Sequence, residues 1–239
     1  MAARATRSAS RKARVTEAVA TGPLGALSHD ELGVIFDGLA DPLRPAVAVA
    51  LSSTCLGLRT PLQAALKLLA QWHEKAKRLC STVDSWYVYV QYVHAPASCV
   101  SLPDAKELFW FSNPPDLLTL NMILRTNGLP KLQGLFICGV GIDEAGMQAL
   151  FESLRLGGAT SLRELGLQGN RCGPRGAEAL AAALRGGALR KLERLILNEN
   201  NNIGSQGFAA LAVPLRKMPA LRELFLSDTA LGDDGVASL

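Results

Sequence analysis

The groups from which a reactive or metal-binding centre could be built include five cysteines, three histidines and the acidic pairs Asp143-Glu144 and Asp233-Asp234. Cys55, Cys80, Cys99, Cys138 and Cys172 are odd in number, widely spaced and without a CxxC pair, which argues against a zinc site or a disulfide framework. Free thiols fit a reducing compartment. His29, His73 and His94 stand apart, so the sequence assembles neither a histidine metal cluster nor a nucleophilic triad. The phosphate-loop pattern GxxxxGK followed by Ser or Thr is absent, as are GxGxxG, GxSxG and HExxH. The expectation is a protein that is not an enzyme and needs no metal or cofactor. Asp143-Glu144 and Asp233-Asp234 are read as negative charge placed to complement helix dipoles.

The chemistry that spacing does support is recognition. Phe136, Gly166, Ile196 and Phe225 recur at 30, 30 and 29 residues. In step with them run Gly134, Glu164, Arg194 and Glu223, and beside these Gln133, Arg163, Glu193 and Arg222. If each column lies across neighbouring strands, opposite charges sit about 4.8 Å apart and pair. The apolar column, rimmed by charge, then reads as a partner site. The predicted contact residues are Phe136, Cys138, Glu164, Gln168, Arg194, Ile196, Asn198, Glu223 and Phe225.

The frame that must position them is a repeat. Leu132, Leu135 and Ile137 match Leu162, Leu165 and Leu167, then Leu192, Leu195 and Leu197, then Leu221, Leu224 and Leu226. LxxLxL predicts a short strand with alternate side chains turned to a core. Asn170 and Asn200 follow, where an amide can bond backbone groups as the chain turns. Val140 and Thr229 replace them in the outer repeats. Gly146, Gly176, Gly207 and Gly235 fall near helix starts, where small residues ease packing. Ala177, Leu180, Ala181 and Leu184 lie at helical spacing. Stacking closes the open faces that each strand–turn–helix unit leaves.

These slots resemble ribonuclease-inhibitor-type leucine-rich repeats, over Leu132 to Leu239. The resemblance implies an α/β leucine-rich-repeat solenoid, with parallel strands concave and helices convex, that binds a target protein on its concave face. The sequence ends inside the fourth repeat's expected helix, so truncation is expected. Pro115 to Asn127 reads as a short helix covering the first repeat's edge, and 115–239 as the repeat region.

Residues 27–80 read as a small all-α helical module. Ser28 to Glu31 forms a capping box, and Leu32, Ile35, Phe36 and Leu39 follow at helical spacing. A second helix is expected from Ala46 to about Leu58, and a third from Pro61. Leu27, Glu31, Leu32, Ile35, Phe36 and Leu39, with Leu51, Ser52, Cys55 and Leu58, resemble an F-box-like domain. Ser28 and Leu58 depart from that pattern, where Pro and a bulky aromatic are usual. The resemblance implies docking of a Skp-type adaptor and a role as substrate-recognition subunit of a cullin-type ubiquitin ligase. A repeat scaffold or inhibitor unrelated to ubiquitin, and a Ran-type GTPase-activating protein, are the alternatives.

Residues 1–26 read as a basic disordered tail. Arg4, Arg7, Arg11, Lys12 and Arg14 all precede the first acid, Glu17, and account for the net charge of +4. A transit peptide competes with that reading. The absence of a dense basic run argues against nucleic acid as partner. Cytoplasm or nucleus is the expected location, with organellar targeting left open. No apolar stretch predicts a membrane span. Residues 81–114 read as an irregular connector, containing the β-prone Ser85 to Val93 and a short helix over Pro103 to Phe111.

Overall fold

A computed structural model describes residues 43, 45, 46, 48–50, 63–83, 101–157 and 159–238. The basic tail, the capping box, all ten F-box-like positions and the Ser85–Val93 stretch lie outside the described residues. The chain divides into two compact units, residues 1–74 and 75–239. In the first, Ala46 and Ala48–Ala50 are helical. The long helix α1, Gln63–Ser81, crosses the division. It buries Leu69, Ala76 and Leu79, a spacing of seven and three residues that lines one helical face.

The second unit is a mixed α/β arrangement in which strand and helix alternate. Its strands are β1 (Glu107–Trp110), β2 (Gly134–Ile137), β3 (Glu164–Gly166), β4 (Arg194–Ile196) and β5 (Glu223–Phe225). The helices α2 (Leu117–Arg125), α3 (Glu144–Arg155), α4 (Pro174–Arg185), α5 (Gly204–Arg216) and α6 (Gly232–Ser238) follow each strand in turn. Among the described residues the sheet is five-stranded, all parallel, and in sequence order. Each helix from α2 to α6 packs on its neighbours in the same order. A crossover of this kind returns the chain beside its previous strand, and alternation sends one side of every strand to the helices.

That inner side holds the leucine slots. Leu135, Leu165 and Leu195 are fully buried, and so are Ile137, Leu167 and Leu197. From the helices come Phe151, Phe208 and the predicted α4 stripe of Ala177, Leu180, Ala181 and Leu184. The helix-start glycines act through close approach. A Cβ on Gly207 would lie 2.8 Å from Ile203 and 3.0 Å from the Ala177 Cβ of the preceding helix. The acids ahead of the helices cap them. Asp143 accepts a hydrogen bond from the Gly146 N–H at 2.8 Å, and Glu144 accepts one from the Arg175 N–H of the next helix at 2.8 Å.

Pro103 to Phe111 is not a helix. After a 3-10 turn at Leu102–Asp104 it becomes β1, paired with β2 from Glu107 opposite Gly134 to Trp110 opposite Ile137. Leu108 and Trp110 take two leucine slots and are fully buried. The indole N–H of Trp110 donates to Thr82 at 3.0 Å, so the larger ring is accommodated with its polar atom satisfied. The helix within Pro115–Asn127 forms as expected, capped by Asp116. It covers the first predicted repeat's edge by packing on that repeat's helix, α3, and it shares the edge with β1, which pairs with β2; α2 is the helix that follows β1.

Candidate protein-interaction face of the sheet

The sheet's outer side carries the columns predicted for recognition, and the register brings them together. Glu107, Gly134, Glu164, Arg194 and Glu223 are successive partners across the five strands. Arg194 forks between its neighbours, donating to Glu223 at 2.7 Å and to Glu164 at 3.1 Å. Arg163 pairs with Glu193 in the next column. These groups are 34–52% exposed, and exposed pairs contribute at most about 1 kcal/mol. Their effect is to hold the surface in one arrangement. The Arg194 bond keeps the Glu223 carboxyl below the usual range, and Glu223 in turn raises Arg194. Arg222 is exposed and makes no ion pair among the described residues.

Glu107 was absent from the predicted set. Its carboxyl is raised by partial burial and, next, by the charge of Glu164. Only the side-chain-free Gly134 stands between these two acids in the column.

The apolar column gains a member as well. It runs Phe109, Phe136, Gly166, Ile196, Phe225. Phe109 and Phe136 stack at 4.8 Å with planes 6° apart, and Phe111 lies 5.9 Å from Phe109. Two glycines seat the Phe136 ring. A Cβ on Gly166 would come within 2.5 Å of its Cδ1, and one on Gly134 within 2.8 Å of its Cε2. The ring therefore lies over bare backbone, half-buried and fixed. Ile196 is half-buried, and Phe225 is 42% exposed.

The other predicted contact residues, Cys138, Gln168 and Asn198, behave differently. Cys138 is buried, with its thiol directed at the Gly166 carbonyl oxygen at 3.5 Å, so it belongs to the floor and offers little surface. The Asn198 side-chain oxygen accepts from the Ser227 N–H at 2.8 Å, which ties this residue to the next strand's turn. Gln168 is half-buried, and its carbonyl accepts from Gly139 at 2.8 Å. Leu27, Glu31, Leu32, Ile35, Phe36 and Leu39 are outside the described residues. Among the described residues, no group of three His, Cys, Asp or Glu side chains could hold a metal ion.

Burial pushes the Cys138 thiol up to about 11. For Cys172, burial first and the Glu144 charge second push it up to about 12. Both thiols are expected to resist iodoacetamide at pH 8 in the folded protein and to label fast in urea, read by peptide mass mapping. An unfolded thiol titrates near 8.5, below the folded values. The stabilisation is thus intact below about pH 8.5 and is lost as pH rises toward the folded values. Native labelling as fast as unfolded labelling would contradict this placement.

Against known protein families, residues 158–181 match the Leucine Rich repeat family. The match spans β3, the Asn170 turn and the first part of α4. With the all-parallel sheet, it supports a leucine-rich-repeat protein, and a repeat of this kind points to a protein–protein interaction module. Among the described residues, no helix is long and apolar enough to cross a membrane.

Proposed function

We propose that this chain binds a target protein along the concave sheet face of a ribonuclease-inhibitor-type solenoid. We further propose that its F-box-like residues make it the target-recognition subunit of a cullin-type ubiquitin ligase. The observation that carries the first part is the outer-face column, in which a seated Phe136 and an exposed Phe225 flank Ile196 beside a locked row of charge. Aromatic anchors inside a charged rim are the composition of interface hot spots. The second part rests on the sequence of residues 27–58. In this reading the chain has no catalytic residues, and the ligase chemistry belongs to its partners.

The test uses the full chain, tagged, in extract from matched cells. A Skp-type adaptor is expected to co-purify in near-stoichiometric amount and to disappear with Leu32→Asp/Phe36→Asp. Capture of a target without the adaptor leaves a scaffold or inhibitor. Faster GTP hydrolysis by a Ran-like GTPase, with no adaptor bound, favours the GTPase-activating alternative instead.

A further inference from the structure

The two rims of the sheet-and-helix stack differ in charge. Where strands end and helices begin, the acids Asp143, Glu144, Glu178, Glu199 and Asp228 outnumber the cations Arg171 and Arg175. Where helices end stand Arg155, Arg185, Arg190, Lys191, Arg216 and Lys217, all exposed. On that basic rim a cleft of about 430 Å³ opens between the C-terminal ends of α4 and α5 and the loops after them. Its volume falls in the range of ligand-sized pockets, roughly 300–1,000 Å³.

Every charged residue of the cleft wall is a cation: Arg185, Arg190 and Lys217. The rest of the wall is largely apolar, with Val213, Met218 and Pro219 contributing and Val213 49% exposed. The repeat explains how the cations become available. One unit earlier, Arg155 at the end of α3 is held by Glu152 at 2.7 Å, three residues before it. Ala182 stands three residues before Arg185, and Val213 three before Arg216. Both replacements remove the acid, and the second adds an apolar surface in its place. Arg185, Arg190 and Lys217 make no ion pair among the described residues. The negative end of a helix accounts for one cation in its last turn. It does not account for Arg190, which lies in the loop before β4 and folds over Gly187, where an added Cβ would meet its Nη2 at 2.8 Å. Gly187 has φ +81° and no side chain, so it gives the guanidinium a berth beside the cleft.

We propose that this cleft docks an acidic segment of a partner protein. Carboxylates engage Arg185, Arg190 and Lys217, and one apolar side chain rests on Val213 and Met218. The site is separate from the outer sheet face, so the two can be lost independently.

The probe is a fluorescein-labelled peptide, Glu-Glu-Leu-Glu-Glu-Phe-Glu-Glu, titrated with the full-length protein at low salt and read by anisotropy. Saturable binding is expected, largely abolished in about 1 M salt, where the screening length contracts to about 3 Å. Arg185→Glu/Arg190→Glu/Lys217→Glu is expected to weaken it at least about tenfold, since three attractions become repulsions. Val213→Ser, which keeps every cation, is expected to weaken it by a smaller factor. Arg4 to Arg14 are unchanged in these variants, so undiminished binding by a folded triple variant places the peptide on the tail or on another basic surface and overturns the proposal. Absence of saturable binding overturns it too. If vesicles rich in phosphatidylserine bind through the same three cations while the peptide does not, the cleft is a lipid site and the proposal falls. Should the triple variant not fold, Arg190→Ala/Lys217→Ala at exposed positions gives the same reading.

Discussion

Asn200→Ala is expected to cost about 3–5 kcal/mol, far more than an ordinary polar truncation. Asn200 is fully buried between two neighbouring repeats. Its amide nitrogen donates to the carbonyls of Leu167 and Leu197, each at 2.9 Å, and to that of Asn198 at 3.2 Å. Its oxygen accepts from the Cys172 N–H at 3.0 Å. Truncation leaves the Cys172 N–H and the Leu197 carbonyl without partners, while Leu167 keeps the Asn170 amide and Asn198 keeps the Gly169 N–H; each orphaned group costs about 1–3 kcal/mol. For a unit of this size, 1 kcal/mol shifts Tm by about 2–4 °C, so the expected fall is about 10 °C. Asn200→Asp is no rescue, because a carboxylate brings oxygen where the carbonyls need N–H. Asn202, exposed in the same turn, supplies the control: Asn202→Ala is expected to stay within about 0.5 kcal/mol. Calorimetric melting of the three variants decides the matter. A loss under about 1 kcal/mol at Asn200 would mean that the turn is held by something other than this amide.

The same ladder shows what a sequence can disclose. Asn170 makes the equivalent set, donating to Ile137 and Leu167 and accepting from Ile142. Residue type and spacing were enough to place both amides, because a period repeated in phase leaves few registers open. The charge columns were legible for the same reason: Arg194 meets Glu164 and Glu223 because 30-residue and 29-residue intervals bring them level. At Val140 no amide is present, while Thr229 keeps one bond, to Leu226 at 2.7 Å.

The first strand escaped because its slots carry unfamiliar residues. Ala105 stands one residue before Lys106, whose carbonyl meets both Gln133 and Gly134, so alanine occupies a leucine position. Trp110 occupies another, and a cluster of Leu, Phe and Trp is as compatible with a short helix as with a strand. A signal existed nonetheless: Leu108, Trp110 and Asn113 repeat the spacing of Leu165, Leu167 and Asn170. Missing β1 concealed Glu107 and Phe109, and with them half of the aromatic stack. The seat under Phe136 was illegible for a different reason. It depends on the absence of side chains at Gly134 and Gly166, one on its own strand and one on the next, and spacing does not show what an empty position receives.

On the outer face, Phe225→Ala is the cleanest probe of target binding, and it is expected to lower affinity at least tenfold. Phe225 is 42% exposed on the last described strand, so its removal from the free protein is expected to change stability by no more than about 0.5 kcal/mol. An aromatic anchor buried by a partner contributes about 2 kcal/mol or more, against 1.4 kcal/mol per tenfold in affinity. Phe136→Ala is different in kind. Its ring fills the space above Gly166 and stacks on Phe109, a contact worth about 0.5–1.5 kcal/mol by itself. That variant is expected to lose both stability and binding, and Phe136→Ala/Phe225→Ala to lose about a hundredfold in affinity. Titration calorimetry against the captured target, with melting curves of the same variants, separates the two contributions. If the double variant melts lower yet binds with full affinity, the aromatic column is a structural seam, and the partner must be sought on another surface.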